Sequence, residues 1–399
     1  MESQKNKKFG CPLYSAAWAS PSCVVLAGGG GKKTSGIKNK ILAVPVRNGA
    51  LEEETLACST GETEFDVPYR LLLHPDLAGG LVAMAGSGGC RSVEVARAPD
   101  GTLSSIALGT EGTAACKRLT ADTGVSRICF GGRRMDSAFL GLEDGRVLVL
   151  SYPTLELKGD FATAGSDVKP DDRGVKDMDV APASVGPMLV AASDGGKGTV
   201  WHWPSGKMLA ELEVPPGLKP GRGYSGCRFA RDTDDMFGEP NTVYAVVNSG
   251  GTGSVVAWQW GQGAAEDLDE ALRIGWSKAR VSSRLRVAND PITCMEISPS
   301  GRWIAAGTSE GDLVVCRTGR LSCVKRVRQA HMVFATALAW SPDGSQVVSV
   351  SGDASAYLVQ APPPPGLLQR PEVQVILALL ILLVAVLLRR LPALSPGGS

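Results

Sequence analysis

Two stretches near the end of the chain are built to one plan. Ile297-Ser298-Pro299-Ser300-Gly301 closes an apolar run, Trp303-Ile304-Ala305-Ala306-Gly307 makes the next, and Glu310-Gly311-Asp312 turns into Leu313-Val314-Val315. Further on, Leu338-Ala339-Trp340 ends in Ser341-Pro342-Asp343-Gly344, Val347-Val348-Ser349-Val350 ends in Gly352-Asp353, and Tyr357-Leu358-Val359 follows. Short β-branched runs bounded by such turns read as antiparallel strands. A unit of this kind recurring at roughly 40 residues is one blade of a propeller. Alone it leaves an apolar face bare, so several must stack into a ring.

Weaker copies lie at 81–96, 128–150, 188–212 and 244–260. The opening pair Val24-Val25-Leu26-Ala27 and Ile41-Leu42-Ala43-Val44 brings the count to seven units. The chain is therefore expected to be all-β, a seven-bladed WD-type β-propeller over 11–360 after a polar tail at 1–10. A closed ring leaves no long edge strand. The strand near Tyr14 to Trp18 is expected to pair into the last blade and join the ends. Two stretches break the rhythm, 161–176 and 261–289. Both read as surface loops, the second with one short helix from Glu266 to Arg273.

With 399 residues and 44% apolar side chains the chain can bury a large core. Lysine and arginine number 41 against 40 acidic residues, so nucleic acid is not an expected partner. Ten cysteines without a Cys-x-x-Cys pair, and only three histidines, argue against a zinc site. Scattered cysteines in a large chain fit a reducing compartment. No signal-type apolar segment follows the polar start, so the propeller is expected to stay in the cytosol.

The tail changes character. Pro362 to Pro365 opens a stiff linker over 361–372. From Val373 to Leu388 the chain is apolar on every side, where a soluble helix would show a polar stripe. Arg389 and Arg390 can snorkel, so 373–391 reads as a transmembrane helix, short enough for a thin bilayer. The charge bias beyond the span would put 392–399 in the cytosol. Nothing in the sequence could translocate the propeller, however, so a short lumenal tail is expected.

The glycine run between the first two strands is the other distinctive feature. Gly28, Gly29, Gly30 and Gly31 precede Lys32, Lys33, Thr34, Ser35, Gly36, Ile37, Lys38 and Asn39. A phosphate-binding loop would need Ser or Thr after Gly-Lys and then a helix; here Lys33 and a strand follow. A dinucleotide fingerprint fails because no helix follows. A loop this long held by two strands is expected to be ordered and presented to a partner.

His331 before the last blade and Asp353 in that blade's second turn fit a structural brace, with Tyr357 in the place WD-type repeats usually give to Trp. His202 sits inside a strand and His74 at a turn before Pro75. No Ser/His/Asp or Cys/His arrangement stands out, so a binding platform without bond-making chemistry is expected.

The strand leading into Gly-Gly-Gly-Gly-x-x-x-x-Gly-Ile-x-Asn, the propeller and the single C-terminal anchor together resemble one family. It comprises the endoplasmic-reticulum guanine nucleotide exchange factors that start COPII coat assembly, among them the prolactin regulatory element-binding protein. Val67-Pro68-Tyr69-Arg70, His74-Pro75, Asp290-Pro291-Ile292 and Ala330-His331 look like its plant phosphate transporter traffic facilitator branch. The resemblance implies a single-pass protein of the endoplasmic-reticulum membrane whose partner is the small GTPase of the COPII coat. It implies that 32–39 contact the GTPase, with Ile37, Lys38 and Asn39 at the contact edge. It implies a potassium ion held by the main chain of Gly28, Gly29, Gly30 and Gly31, and no organic cofactor. The alternative is an exchange-inactive adaptor that promotes exit of a membrane transporter, its cargo, from the endoplasmic reticulum.

Overall fold

The computed structural model describes residues 6–363, except 55, 76–78, 99–102, 110–119, 121, 166, 214, 219–222, 232–240 and 261–278, and it also describes 375–382. The chain divides into two units, Met1–Ala361 and Pro362–Ser399. The first holds seven antiparallel sheets. Blade 1 runs Leu13–Ser20, Cys23–Gly28, Asn39–Arg47 and Leu56–Gly61 from the inside outward. Blades 2 to 7 start with the inner strands Pro68–Leu73, Val125–Gly131, Val175–Val180, Tyr224–Phe229, Ile292–Ile297 and Ala335–Trp340. Each inner strand packs against the next, and that of blade 7 against that of blade 1, so the ring is closed.

Residues in the middle strands are apolar at consecutive positions because neighbouring blades cover both faces of each sheet. Val24, Val25, Leu26 and Ala27, like Ile41, Leu42, Ala43 and Val44, are wholly buried. Outer strands show the opposite pattern: Ser322–Val327 is mostly exposed. Each inner strand also skips one residue in its pairing, a bulge at the same place in every blade. Three of the skipped residues reach the next blade through a hydroxyl. Thr293 Oγ1 donates to Ala335 O at 2.7 Å, Thr336 Oγ1 donates to Leu13 O at 2.7 Å, and Ser126 Oγ donates to Val175 O.

The ring is not joined by the strand around Tyr14 to Trp18. That run is the inner strand of blade 1, and Lys7–Lys8 supplies the outer strand of blade 7, with Lys7 opposite Ala356 and Lys8 opposite Ser355. The reason is burial. Ala16, Ala17 and Trp18 are each less than a tenth exposed, which the outer position does not offer, whereas two lysines suit a wet outer edge. Trp18 still crosses the seam, its Nε1 donating to Ala339 O at 2.9 Å.

Both supposed loops are partly regular. In 161–176, Phe161 and Ala162 end the outer strand Leu157–Ala162, a short helix covers Pro170–Arg173, and Val175 opens blade 4. In 261–289, Arg280–Ala288 is the outer strand of blade 5, while the helix expected from Glu266 to Arg273 lies outside the described residues. Of the expected membrane span 373–391, residues 375–382 are helical and expose Val375, Ile376, Leu377, Leu379, Leu380, Ile381 and Leu382. No helix among the described residues is long and apolar enough to cross a membrane. The remainder of the span and the tail 392–399 lie outside the described residues.

Candidate functional site

In each antiparallel blade the turn between the second and third strands opens on the same face as the connection to the next blade. The glycine loop therefore shares a face with its neighbour in sequence, the connection from blade 1 to blade 2. The two loops are built as one unit. Gly29 N donates to Pro12 O at 3.0 Å, and a Cβ on Gly29 would lie 2.1 Å from Asn39 Oδ1, so only glycine fits. A single 3₁₀ turn covers Lys33–Ser35, and Gly36, at φ +70°, closes it with its N–H on Lys33 O at 3.1 Å.

Asn39 is the residue that fastens this loop. It is completely buried. Its Nδ2 donates to Gly31 O at 2.8 Å and to Thr63 O at 3.1 Å, and its Oδ1 accepts from Gly31 N at 3.0 Å. Both amide protons and the acceptor are thus used, across both loops. On the other side Thr63 and Asp66 form a capping box, and Arg91 meets Asp66 at 3.3 Å. Lys32 pairs with Glu64 at 2.9 Å and Lys33 with Glu62 at 3.0 Å. The bond to Glu64 and its charge push the Lys32 ammonium up from its ordinary range.

The expected contact residues therefore divide. Lys32, Lys33, Thr34, Ser35, Gly36 and Lys38 are exposed, Ile37 is half-buried against the core shared by blades 1 and 7, and Asn39 is inside. Among the described residues no carboxylate pairs with Lys38, which leaves one uncompensated cation at the tip. Sequence reasoning missed Glu62, Thr63, Glu64 and Asp66. The spacing Thr63-x-x-Asp66 is itself a capping signature and was the available signal.

A potassium site needs several carbonyls to replace the ion's water. Gly31 O is committed to Asn39, and Gly28 lies in the sheet between Leu13 and Lys40. Only the carbonyls of Gly29 and Gly30 are without a hydrogen bond among the described residues. The run as it stands therefore offers two carbonyls without a hydrogen bond, and Asn39 itself stiffens the loop.

His331 and Asp353 sit in blade 7 with Ser355 between them. His331 Nδ1 and Nε2 lie 2.7 Å from Ser355 Oγ and Ser349 Oγ, while Nδ1 is 4.0 Å from the nearer Asp353 oxygen. Burial lowers the His331 pKa to about 4 against the opposing pull of Asp353. Burial raises the Asp353 carboxyl, but bonds from Ser355, Met332 N–H and Lys8 outweigh it and bring it to about 2. His202 meets Ser205 Oγ at 2.7 Å, and His74 meets Met135 O at 2.9 Å while stacking on Tyr152. Two of the three histidines thus bond serine hydroxyls, and the third bonds a main-chain carbonyl.

The model of the WD domain, G-beta repeat family matches 281–316 and 322–359. The chain is a seven-bladed WD-repeat propeller. Each match starts on the outer strand of one blade and runs through three strands of the next. That offset is why the last blade must borrow Lys7–Lys8 to be complete. The chain is 26% identical to SEC12-like protein 2 of Arabidopsis thaliana over 330 residues, 81% of this chain and 72% of that protein. It is 34% identical to WD repeat-containing protein 1 of Gallus gallus over 69 residues, 17% of this chain and 11% of that one. A chain of the mitotic checkpoint complex crystal structure superposes with a TM-score of 0.59 at 12% identity, covering 88% of this chain and 90% of that one. This last likeness speaks to the fold alone.

Proposed function

We propose that this chain is a membrane-anchored guanine nucleotide exchange factor for the small GTPase that initiates COPII budding. Its propeller faces the cytosol and its anchor, 373–391, lies in the endoplasmic-reticulum membrane. The observation that carries the reading is a glycine loop fastened from within by Asn39, in a chain similar to SEC12-like protein 2 over most of its length. A loop already held in shape loses little conformational entropy on docking. Thr34, Ser35, Gly36 and Lys38 supply its contact edge, Lys38 contributes an unpaired charge, and Asn39 positions them from below. Exchange needs no covalent step. A factor that binds the nucleotide-free GTPase better than the GDP-bound one shifts the equilibrium toward release by that differential affinity alone.

The test is GDP release from the matching GTPase, followed by fluorescence with the full-length chain. Acceleration that disappears on deletion of 28–36 is the expected result. A full-length chain without effect at micromolar concentration overturns the proposal and leaves the cargo-escorting adaptor.

A further inference from the structure

The inner strands wall a central cavity of about 1160 Å³. The residues that follow the bulges form one ring around it. Three are charged, Arg70, Arg127 and Asp177 on blades 2, 3 and 4, and the other four, Ser15, Gly226, Cys294 and Ala337, are small. Two residues deeper lie Asp179, Arg228 and Glu296 on blades 4, 5 and 6.

Most of these charges satisfy one another. Arg228 Nη1 donates to Asp177 Oδ2 at 2.7 Å, and its Nη2 meets Glu296 at 3.0 Å. Arg231 meets Asp179 at 3.0 Å, and Arg127 Nε meets the second oxygen of Asp177 at 2.6 Å. Arg70 is different. It donates to Ser126 O at 3.3 Å, Tyr14 O at 3.2 Å and Tyr69 Oη at 3.2 Å, and its guanidinium lies 4.2 Å from the Tyr69 ring centre. Among the described residues no carboxylate pairs with it. Four guanidinium groups thus share three carboxylates in this belt. Arg70 is half-buried and feels Asp177 only through space, so it is the least compensated of the four. Burial pushes the Arg70 guanidinium down from its ordinary range, and Arg127 adds to this against the pull of Tyr69.

Arg70 lies near the start of its strand, at the end of the channel that opens on the glycine-loop face. The rim of that opening over blades 3 and 4 carries Glu143, Asp144, Asp171 and Asp194; Asp144 is paired with Arg146 at 2.8 Å, and Lys176 lies beside Asp194, so the rim is acidic on balance. Such a rim repels polyanions and attracts cations. The mouth therefore offers positive charge inside and negative charge at the edge. The matching ligand has one carboxylate leading and a cationic group behind.

We propose that this mouth binds the free C-terminal carboxylate of a basic peptide, with Arg70 and Arg127 taking the carboxylate and the rim acids taking a lysine or arginine side chain. A guanidinium fork matches a carboxylate in plane and in charge. The site is independent of nucleotide exchange.

The probe is a fluorescein-labelled Ala-Lys-Ala-Ala peptide, titrated as free acid and as C-terminal amide against the full-length chain by anisotropy. The free acid binds tighter by about tenfold, the worth of a charge-assisted bond. Arg70→Gln brings the ratio to about one, and Arg70→Lys retains part of it. Equal binding of acid and amide, or an unchanged ratio in Arg70→Gln, overturns the proposal. Because Arg70 also ties blades 1 and 3, Arg127→Gln repeats the test with those bonds intact; there the ratio falls, and an unchanged ratio contradicts the site.

Discussion

Asn39 and His331 show how differently two buried polar side chains serve one molecule. Asn39 satisfies main-chain groups of two loops and gives them one shape. His331 satisfies two serine hydroxyls inside blade 7, and its environment keeps it neutral. With a folded pKa of about 4 and an ordinary value near 6.5, the unfolded chain binds more protons than the folded one between those limits. Stability is therefore full above pH 6.5 and declines as pH falls toward 4, by about 3 kcal/mol at most. Asp353, lowered to about 2 from 3.8, adds a further loss below pH 3.8. Urea unfolding across this range should show the slope between pH 6.5 and 4, and His331→Asn should flatten it while lowering stability at pH 7. The same slope in that variant would assign it elsewhere.

The closing strand is the smallest piece of secondary structure with the widest consequence. Lys7–Lys8 pairs with Ser355 and Ala356 at the start of the strand Ser355–Gln360, Phe9 N donates to Ala354 O at 2.9 Å, and Lys8 pairs with Asp353 at 3.2 Å. Removing residues 1–8 lengthens the exposed edge of that strand by Ser355 and Ala356. The expected outcome is a loss of about 1–3 kcal/mol together with concentration-dependent association in light scattering; a truncated chain as stable and monomeric as the intact one would rule this out. Such a strand was not legible in the sequence, because two lysines carry no periodicity. The middle strands were legible, since Val24-Val25-Leu26-Ala27 and Val347-Val348 sit where both faces are covered. The outer strand Arg280–Ala288 reads as loop because its arginines and serines look solvated, and Arg280, Ser282, Arg284 and Arg286 are exposed along one face. The glycine loop was legible as a loop, but its fastening was not. An asparagine at a loop end reads as exposed, and its partners Gly31 and Thr63 meet it only after blade 1 has folded.

The molecule as a whole is a ring whose sequence repeat is offset from its blades, so that its beginning completes its end. On one face that ring displays a preformed loop with a cationic tip and the mouth of a charged channel. Burial of the seven apolar sheets fixes the ring, and the ring in turn fixes the loop, because Gly28 and Asn39 are themselves strand residues of blade 1. The central claim is that loop order, set by Asn39, is what acts on the GTPase. The most direct check is GDP release measured side by side for the full-length chain and Asn39→Ala, with melting recorded for both. A loss of about tenfold or more in the rate enhancement, with the propeller still folded, is predicted from the three hydrogen bonds removed. An Asn39→Ala chain that exchanges nucleotide as fast as the parent would contradict it.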